Sequence, residues 1–214
     1  MGILLDNDVI LKGACYGLLD QLFSSLSTDT RRMLVLGAAR FVIAKRLQKK
    51  GFCSRIEEAL HNLNGFMTAV SVIEPSEAEQ TMAANLELLA QRRAVALDAG
   101  ESQLCAVFIS RGASSIVTGD KRAMEAIEQL LSVDPRLSPL CGNVYCLEQM
   151  MIRVADQRGF GYARAMICAE PGVDKSLTNS FSCSADEMPD ESFLEGLNSY
   201  ISDLRSRAPR VLAL

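Results

Sequence analysis

Short apolar runs alternate with segments of helical periodicity over the first 150 residues. The apolar runs are bounded by polar residues or glycine and have the length of buried strands, which predicts strands at 3–5, 33–36, 115–117 and 144–147. Apolar residues recur at three- and four-residue spacing between these runs. This spacing predicts helices at 12–26, about 37–50, 54–64, 76–93, 101–111 and 121–131. Strands that alternate with helices indicate an α/β fold, with a small, mostly parallel sheet flanked by helices on both faces.

Local signals predict several helix ends. Ser54 with Glu57, and Ser76 with Glu79, have the spacing of capping boxes, in which the serine accepts from the third helical amide and the glutamate reaches back. Gly51 is the expected left-handed terminator of the helix that runs through residue 50. We therefore expect helices to open at Ser54 and Ser76.

The pattern changes after about residue 150. Gly159, Gly161 and a polar stretch at 179–191 interrupt the periodicity, which is typical of a loop or linker. Apolar residues then return at helical spacing, at Phe193, Leu197, Tyr200, Ile201 and Leu204. We divide the chain into a domain at 1–150 and an extension at 151–214. The amphipathic terminal helix of the extension is expected to pack on the body of the protein or on a second copy in a homodimer.

Composition argues against several classes of protein. No apolar run reaches the roughly 18 to 20 residues of a membrane-spanning helix, so we expect no membrane partner. With one histidine, His61, and no CxxC pair, the sequence offers neither a zinc constellation nor a catalytic triad. The seven cysteines are odd in number and several have apolar neighbours, which indicates reduced thiols. Because the opening residues show no basic leader, we expect a cytoplasmic protein.

Charge is unevenly distributed along the chain. The formal net charge is −4, from 22 basic and 26 acidic residues. Residues 31–55 nevertheless contain eight basic residues and no acidic one, so this segment carries +8 in a chain that is otherwise −12. It is either a face that binds the phosphates of a nucleic acid or the solvated side of a helix. The candidate nucleic-acid-binding residues are Arg32, Lys45, Arg46, Lys49 and Lys50.

Acidic residues follow the apolar runs of the predicted sheet. Asp6 and Asp120 come after predicted strands, and Asp98 and Glu101 follow a further short apolar run at 95–97. In a parallel sheet such positions collect at the carboxyl edge, where ligands bind. Carboxylates gathered there repel one another, and a hard divalent cation such as Mg²⁺ or Mn²⁺ would stabilise them.

Each acidic residue also has a structural explanation. Asp98 and Glu101 have the spacing of a capping box, so capping alone explains Asp98. Glu101 also lies on the predicted inward face of its helix, which favours a functional role. Asp8 is either a support for the site or a helix cap.

Three motifs in this order resemble those of PIN-domain proteins. They are residues 3–10 (ILLDNDVI), residues 98–102 (DAGES) and residues 116–121 (IVTGDK), and the similarity covers roughly residues 1–150. The resemblance implies a three-layer α/β fold and a Mg²⁺- or Mn²⁺-dependent endoribonuclease, like the toxins of toxin–antitoxin pairs. It implies RNA as substrate and leaves room for an antitoxin-like protein partner. The implied metal ligands are Asp6, Glu101 and Asp120, with Asp98 as a further ligand or support and Asp8 and Thr118 as supporting residues.

One departure from the family pattern concerns the helix after the second strand. The family usually has a glutamate there, whereas residues 36–42 (LGAARFV) contain none. Arg40 is the nearest candidate for that place, and its spacing with Ile43, Ala44 and Leu47 predicts that it faces the acids. A fixed positive charge there would weaken or replace the metal. The alternatives are an arginine that extends from the edge of the core, and a catalytically weak PIN-like scaffold that binds RNA or protein.

A second family is ranked lower. Residues 6–9 (DNDV) also resemble the opening motif of haloacid-dehalogenase-like phosphatases, in which the first aspartate, here Asp6, is the nucleophile. That family has a second acid soon after its later Gly-Asp pair. Lys121 and Arg122 stand there instead.

Overall fold

The sheet consists of five parallel strands in the order β3-β2-β1-β4-β5. The computed structural model describes residues 2–49, 51–185 and 189–214. The strands are β1 (Ile3–Leu5), β2 (Met33–Leu36), β3 (Ser71–Ile73), β4 (Ser115–Thr118) and β5 (Val144–Cys146). The central strand β1 places Ile3 beside Met33 of β2 on one side and beside Ser115 of β4 on the other. The expected α/β class is confirmed, and every strand pair in the sheet is parallel.

Helices follow the strands and cover the sheet. They are α1 (Asn7–Tyr16), α2 (Leu19–Ser24), α3 (Ala39–Leu47), α4 (Ile56–Ala69), α5 (Glu77–Arg93), α6 (Ala99–Arg111), α7 (Lys121–Leu130), α8 (Leu147–Arg158), α9 (Phe160–Cys168), α10 (Lys175–Ser180) and α11 (Asp190–Arg207). Short 3₁₀ segments lie at Thr30–Arg32 and Pro135–Leu140.

Two apolar layers enclose the sheet. Side chains alternate along a strand, so Ile3 and Leu5 point into one layer and Leu4 into the other. The first layer is filled by α1–α4 and α8–α10 together with the start of α11, and the second by α5–α7 with the end of α11. The result is a three-layer arrangement of helices, sheet and helices.

Several expected helix boundaries are wrong. The segment predicted as one helix at 12–26 begins earlier, at Asn7, and divides at Gly17, whose φ of +66° ends α1 in the left-handed region. Ser54 does not open a capping box, because its amide and hydroxyl both donate to Glu170, at 2.8 and 2.5 Å. The capping box of Ser76 and Glu79 is confirmed at the start of α5.

The sheet also differs in two short segments. Ser71–Ile73 forms an edge strand that was not expected from the sequence, because none of its three residues is buried and they form no continuous apolar run. Residues 95–97 form an extended connection rather than a strand, so Asp98 follows a loop.

The helix expected to reach residue 50 ends at Leu47. Lys50 itself lies outside the described residues.

Residues 151–214 pack against the rest of the chain. The expected boundary at 150 lies inside α8, whose buried side chains share one apolar layer with α1 and α2. The expected terminal amphipathic helix is α11, which buries Phe193, Leu197 and Leu204. The segment predicted as a linker at 179–191 contains the end of α10 and a turn whose carbonyls at Phe181 and Ser182 accept from Arg164. Residues 186–188 of that segment lie outside the described residues.

The expectation of seven reduced cysteines is wrong for one pair. Cys168 and Cys183 form a disulfide with a Cα–Cα distance of 5.1 Å. Cys168 ends α9 and Cys183 lies in the turn after α10, so the fold brings the two residues together. Their spacing in the sequence matches no recognisable motif. The other five cysteines are free, and all of them except Cys141 are buried.

None of the helices in the described ranges combines the length and apolar character that a span of the lipid bilayer requires.

Candidate functional site

The strand order creates a crevice at one edge of the sheet. The chain runs outward from β1 through β2 to β3, then crosses to β4 on the other side of β1 and continues to β5. Ligands of open parallel sheets bind at such a reversal, at the carboxyl ends of the strands. Asp6 directly follows β1, and Asp120 lies two residues beyond the end of β4. The two aspartates therefore lie at adjacent strand ends.

Asp6 is fixed between β1 and β4. Its amide donates to the carbonyl of Val117 at 3.0 Å, and its Oδ2 accepts from the Thr118 hydroxyl at 2.9 Å. The side chain is nearly buried. Burial, aided by the charge of Asp8, raises the pKa of Asp6 to about 6. Thr118 therefore orients Asp6, the supporting position expected for it.

Asp98 is the N-cap of α6 and Glu101 lies in its first turn, and both line the same cavity as Asp6 and Asp120. They form a reciprocal capping box, with the Glu101 amide donating to Asp98 at 2.9 Å and the Asp98 amide to Glu101 Oε2 at 2.8 Å. Burial, aided by the charges of Asp98, Asp120 and Asp6, raises the pKa of Glu101 to about 8. Asp98 and Glu101 therefore both cap α6 and lie close to the other acids.

Asp120 caps α7 and is paired with Arg122. Its Oδ1 accepts from the Arg122 and Ala123 amides, at 2.8 and 3.4 Å, and its Oδ2 lies 3.0 Å from the Arg122 guanidinium. Burial acts to raise the pKa of Asp120, but the hydrogen bonds from Arg122 outweigh it and hold the pKa below its usual value. Gly119 precedes it, and a Cβ at that position would overlap Asp8 Oδ2 and displace the Asp8 carboxylate.

These acids share one open cavity of about 490 Å³. Five carboxylates line it: Asp6, Asp8, Asp98, Glu101 and Asp120. Their mutual repulsion contributes to the raised pKa values of Asp6 and Glu101. The structure therefore brings together every acidic residue that the sequence marked as a candidate.

Two basic side chains also line the cavity beside Asp8. Lys12 Nζ lies 2.6 Å from Asp8 and 2.7 Å from Asp174, and Arg46 lies 3.3 Å from Asp8. Sequence reasoning missed Lys12 and Asp174 as parts of the site. Lys12 was detectable, because it stands four residues after Asp8 on the same helical face. Asp174 gave no signal, since only the fold brings α10 to this cavity.

Arg40 does not face the acids, contrary to the expectation. Helix α3 buries Ala39, Ile43 and Leu47, so Arg40 projects into solvent. Its guanidinium donates to Asn64 Oδ1 of α4 at 3.2 Å. Arg46, expected to contact RNA, is the arginine of α3 that lines the cavity.

The candidate RNA-binding residues divide into two groups. Lys45 and Lys49 are exposed on and just after α3, near the cavity wall formed by Val42 and Arg46. Arg32 precedes β2 and so lies toward the opposite edge of the sheet. The structure thus keeps Arg32 apart from the lysines.

The donor chemistry of the cavity fits a hard divalent cation. Carboxylate oxygen is the ligand type that Mg²⁺ and Mn²⁺ prefer, and a cation would relieve the repulsion among these acids. Among the described residues, no three His, Cys, Asp or Glu side chains are already arranged to hold a metal ion. Asp120 is paired with Arg122, and Asp98 and Glu101 cap each other. Metal binding would therefore require side-chain adjustment.

No protein-family model matches the chain, and no curated protein matches it either. The chemistry of the cavity is thus the basis for assigning a function.

Proposed function

We propose that the chain is a Mg²⁺- or Mn²⁺-dependent endoribonuclease with a PIN-like fold, acting on the phosphodiester bonds of RNA. The observation that carries the proposal is the convergence of Asp6, Glu101 and Asp120 on one open cavity at the reversal of the sheet order. The three motifs that resemble those of PIN-domain proteins contribute these same residues.

Asp6, Glu101 and Asp120 would hold the ion, with Asp98 as a further ligand or support. When bound, a divalent ion polarises a phosphoryl oxygen and lowers the pKa of water. Thr118 fixes the Asp6 carboxylate through Oδ2. The Asp98 amide fixes Glu101 through Oε2, which leaves Oε1 without a hydrogen-bond partner in the described ranges. The protein thus orients both carboxylates before any ion arrives.

Arg122 is a weak competitor for the ion. Its side chain is 77% exposed, and exposed ion pairs contribute only about 0 to 1 kcal/mol. A divalent cation bound by several carboxylates would displace it from Asp120. The guanidinium would then be available to an RNA phosphate at the mouth of the cavity.

A second candidate is a catalytically weak scaffold that binds RNA or a protein partner. It is favoured by the cations already paired with the acids, since Lys12 and Arg46 contact Asp8 and Arg122 contacts Asp120. Such pairing reduces the negative charge that attracts a metal. The phosphatase alternative has less support, because Lys121 and Arg122 occupy the place where that family has its second acid.

Cleavage of end-labelled single-stranded RNA tests the proposal. Wild type, Asp6→Asn, Asp120→Asn and the control Asp156→Asn, an exposed acid outside the cavity, are each assayed with Mg²⁺, Mn²⁺ or EDTA. Metal-dependent cleavage that only the two cavity variants lose would support the nuclease. A wild type that binds but does not cut RNA would favour the scaffold. Turnover of a generic phosphate monoester, lost in Asp6→Asn, would favour the phosphatase.

A further inference from the structure

The most exposed aromatic side chain of the described chain lies beside the acidic cavity. Phe41 of α3 is 76% exposed, and the next residue, Val42, is 40% exposed and lines the cavity. The core does not require Phe41, because α3 packs through Ala39, Ile43 and Leu47. Phe41 and Val42 together expose adjacent apolar surface at the border of the cavity.

The surroundings of Phe41 are basic. Residues 31–55 contain no acidic residue. Lys45 stands four residues after Phe41, on the same side of α3, and Lys49 lies two residues beyond the end of that helix. Both lysines are exposed, and neither has an acidic partner within ion-pair distance in the described ranges. An exposed aromatic ring beside unpaired cations is the composition of a surface that binds single-stranded nucleic acid.

We propose that Phe41 is a stacking platform for an unpaired nucleobase of single-stranded RNA, with Lys45 and Lys49 holding the flanking phosphates. Val42 and Arg46 form the wall between this platform and the acidic cavity. A strand stacked on Phe41 would pass the cavity mouth with its backbone toward the carboxylates. This inference rests on the proposed function, because it names the form of RNA that the same site accepts.

The alternative occupant, a protein partner, fits less well. A stable protein interface covers about 800 Å² per partner and is depleted in lysine. Phe41 and Val42 are the exposed large apolar residues of α3, and the exposed lysines stand near them in the chain. Duplex RNA fits less well too, since its bases are already stacked and paired.

Equilibrium binding of a fluorescein-labelled oligouridine to the full chain, measured by anisotropy in EDTA, tests the platform without any cleavage. Phe41→Ala is expected to weaken binding roughly 5- to 150-fold, the usual effect of losing one stacked base. Phe41→Leu, which keeps the apolar surface but not the ring, is expected to weaken binding similarly. Phe41→Trp, which keeps an aromatic ring, is expected to bind as tightly as wild type. The control Leu88→Ala, an exposed apolar residue of α5, leaves it unchanged.

An oligomer of abasic sugar phosphates separates stacking from charge. Wild type and Phe41→Ala are expected to bind this oligomer equally, while Lys45→Ala with Lys49→Ala weakens binding to both oligomers and flattens its dependence on salt. The proposal is overturned if Phe41→Ala or Phe41→Leu binds oligouridine as wild type does. Binding of oligouridine by Phe41→Leu at the wild-type affinity would instead indicate an apolar contact of the kind that a protein partner makes. A wild type that does not bind oligouridine also overturns it.

The two proposals can fail separately. Binding that depends on Phe41, together with no metal-dependent cleavage by wild type, would contradict the nuclease and leave the platform intact. Metal-dependent cleavage with equal binding by wild type and Phe41→Ala would contradict the platform and leave the nuclease intact.

Discussion

Lys12 and Asp174 join the acidic cavity to the C-terminal part of the chain. Lys12 Nζ on α1 lies 2.7 Å from Asp174 Oδ2, at the N-cap of α10, and both side chains are mostly buried. Burial acts to lower the pKa of Lys12, but Asp8 and Asp174 outweigh it and hold the pKa above its usual value. Residues 151–214 therefore help to set the charge of the site.

Asp174→Asn tests this connection. Asparagine keeps the N-cap bond that Oδ1 accepts from the Leu177 amide but removes the charge opposite Lys12. Lys12 retains Asp8, so we expect the free energy of unfolding to fall by roughly 2 to 4 kcal/mol, measured by urea denaturation. Asp156→Asn is the matched control and should leave stability unchanged. Equal stability of the two variants would show that the pair contributes nothing.

Glu101→Gln tests the repulsion in the cavity. The pKa of Glu101 rises from its ordinary value of 4.5 to about 8 on folding, so the folded state binds the proton more tightly. Protonation of Glu101 therefore stabilises the folded state fully below about pH 4.5, and this stabilisation is lost as pH rises to about 8. Glutamine keeps the capping box and cannot ionise. In EDTA we expect Glu101→Gln to melt several degrees above wild type at pH 8.5 and near it at pH 4.5.

A pH-independent offset in the melting temperature of Glu101→Gln would contradict a titrating carboxyl. Glu195→Gln, which changes an exposed glutamate of α11, is the control and should match wild type at both pH values.

Arg122→Gln tests competition between the guanidinium and a metal ion. Removing the charge frees Asp120 Oδ2, so Mn²⁺ affinity measured by calorimetry is expected to increase by up to about fivefold. Stability should change by less than about 1 kcal/mol, because the pair is exposed. Arg40→Gln is the control, since Arg40 contacts Asn64 instead of the acids. Lower Mn²⁺ affinity in Arg122→Gln would contradict competition.

The disulfide is tested by counting thiols. Denatured, unreduced protein should titrate with five free thiols and seven after reduction, because Cys168 and Cys183 are bonded. Replacing both with serine should cost roughly 2 to 3 kcal/mol of stability, the usual effect for a loop of this length. Seven thiols before reduction would show that the pair is reduced.

Periodicity predicted the sheet class well because buried parallel strands are continuous apolar runs. It missed β3 because an edge strand with half-exposed residues has no such run. It misjudged Ser54 because capping-box spacing cannot show that Glu170, distant in sequence, takes the same hydrogen bonds. Local patterns thus predicted local structure, and long-range contacts overrode them.

The acids of the site were predictable because strand ends converge at one edge of a parallel sheet. The position of Arg40 was not predictable, because the spacing of apolar residues does not fix which way a residue at the border of the apolar face turns. The spacing that predicted an inward-facing Arg40 also fits a rotation of the helix in which Arg46 reaches the cavity. The structure has this second orientation. Asp174 depends on how α10 packs, which no local pattern encodes.

Calorimetric titration with Mn²⁺ is the most direct test that the acidic cavity is a metal site. Wild type is expected to bind Mn²⁺ and to release protons at pH 7, because Glu101 has a pKa of about 8 and must ionise to bind the ion. Asp6→Asn should weaken binding at least about tenfold, since even the hydrogen-bond partners of metal ligands affect affinity about 10- to 100-fold. Asp156→Asn should bind as wild type does. No Mn²⁺ binding by wild type, or equal binding by Asp6→Asn, would contradict the account.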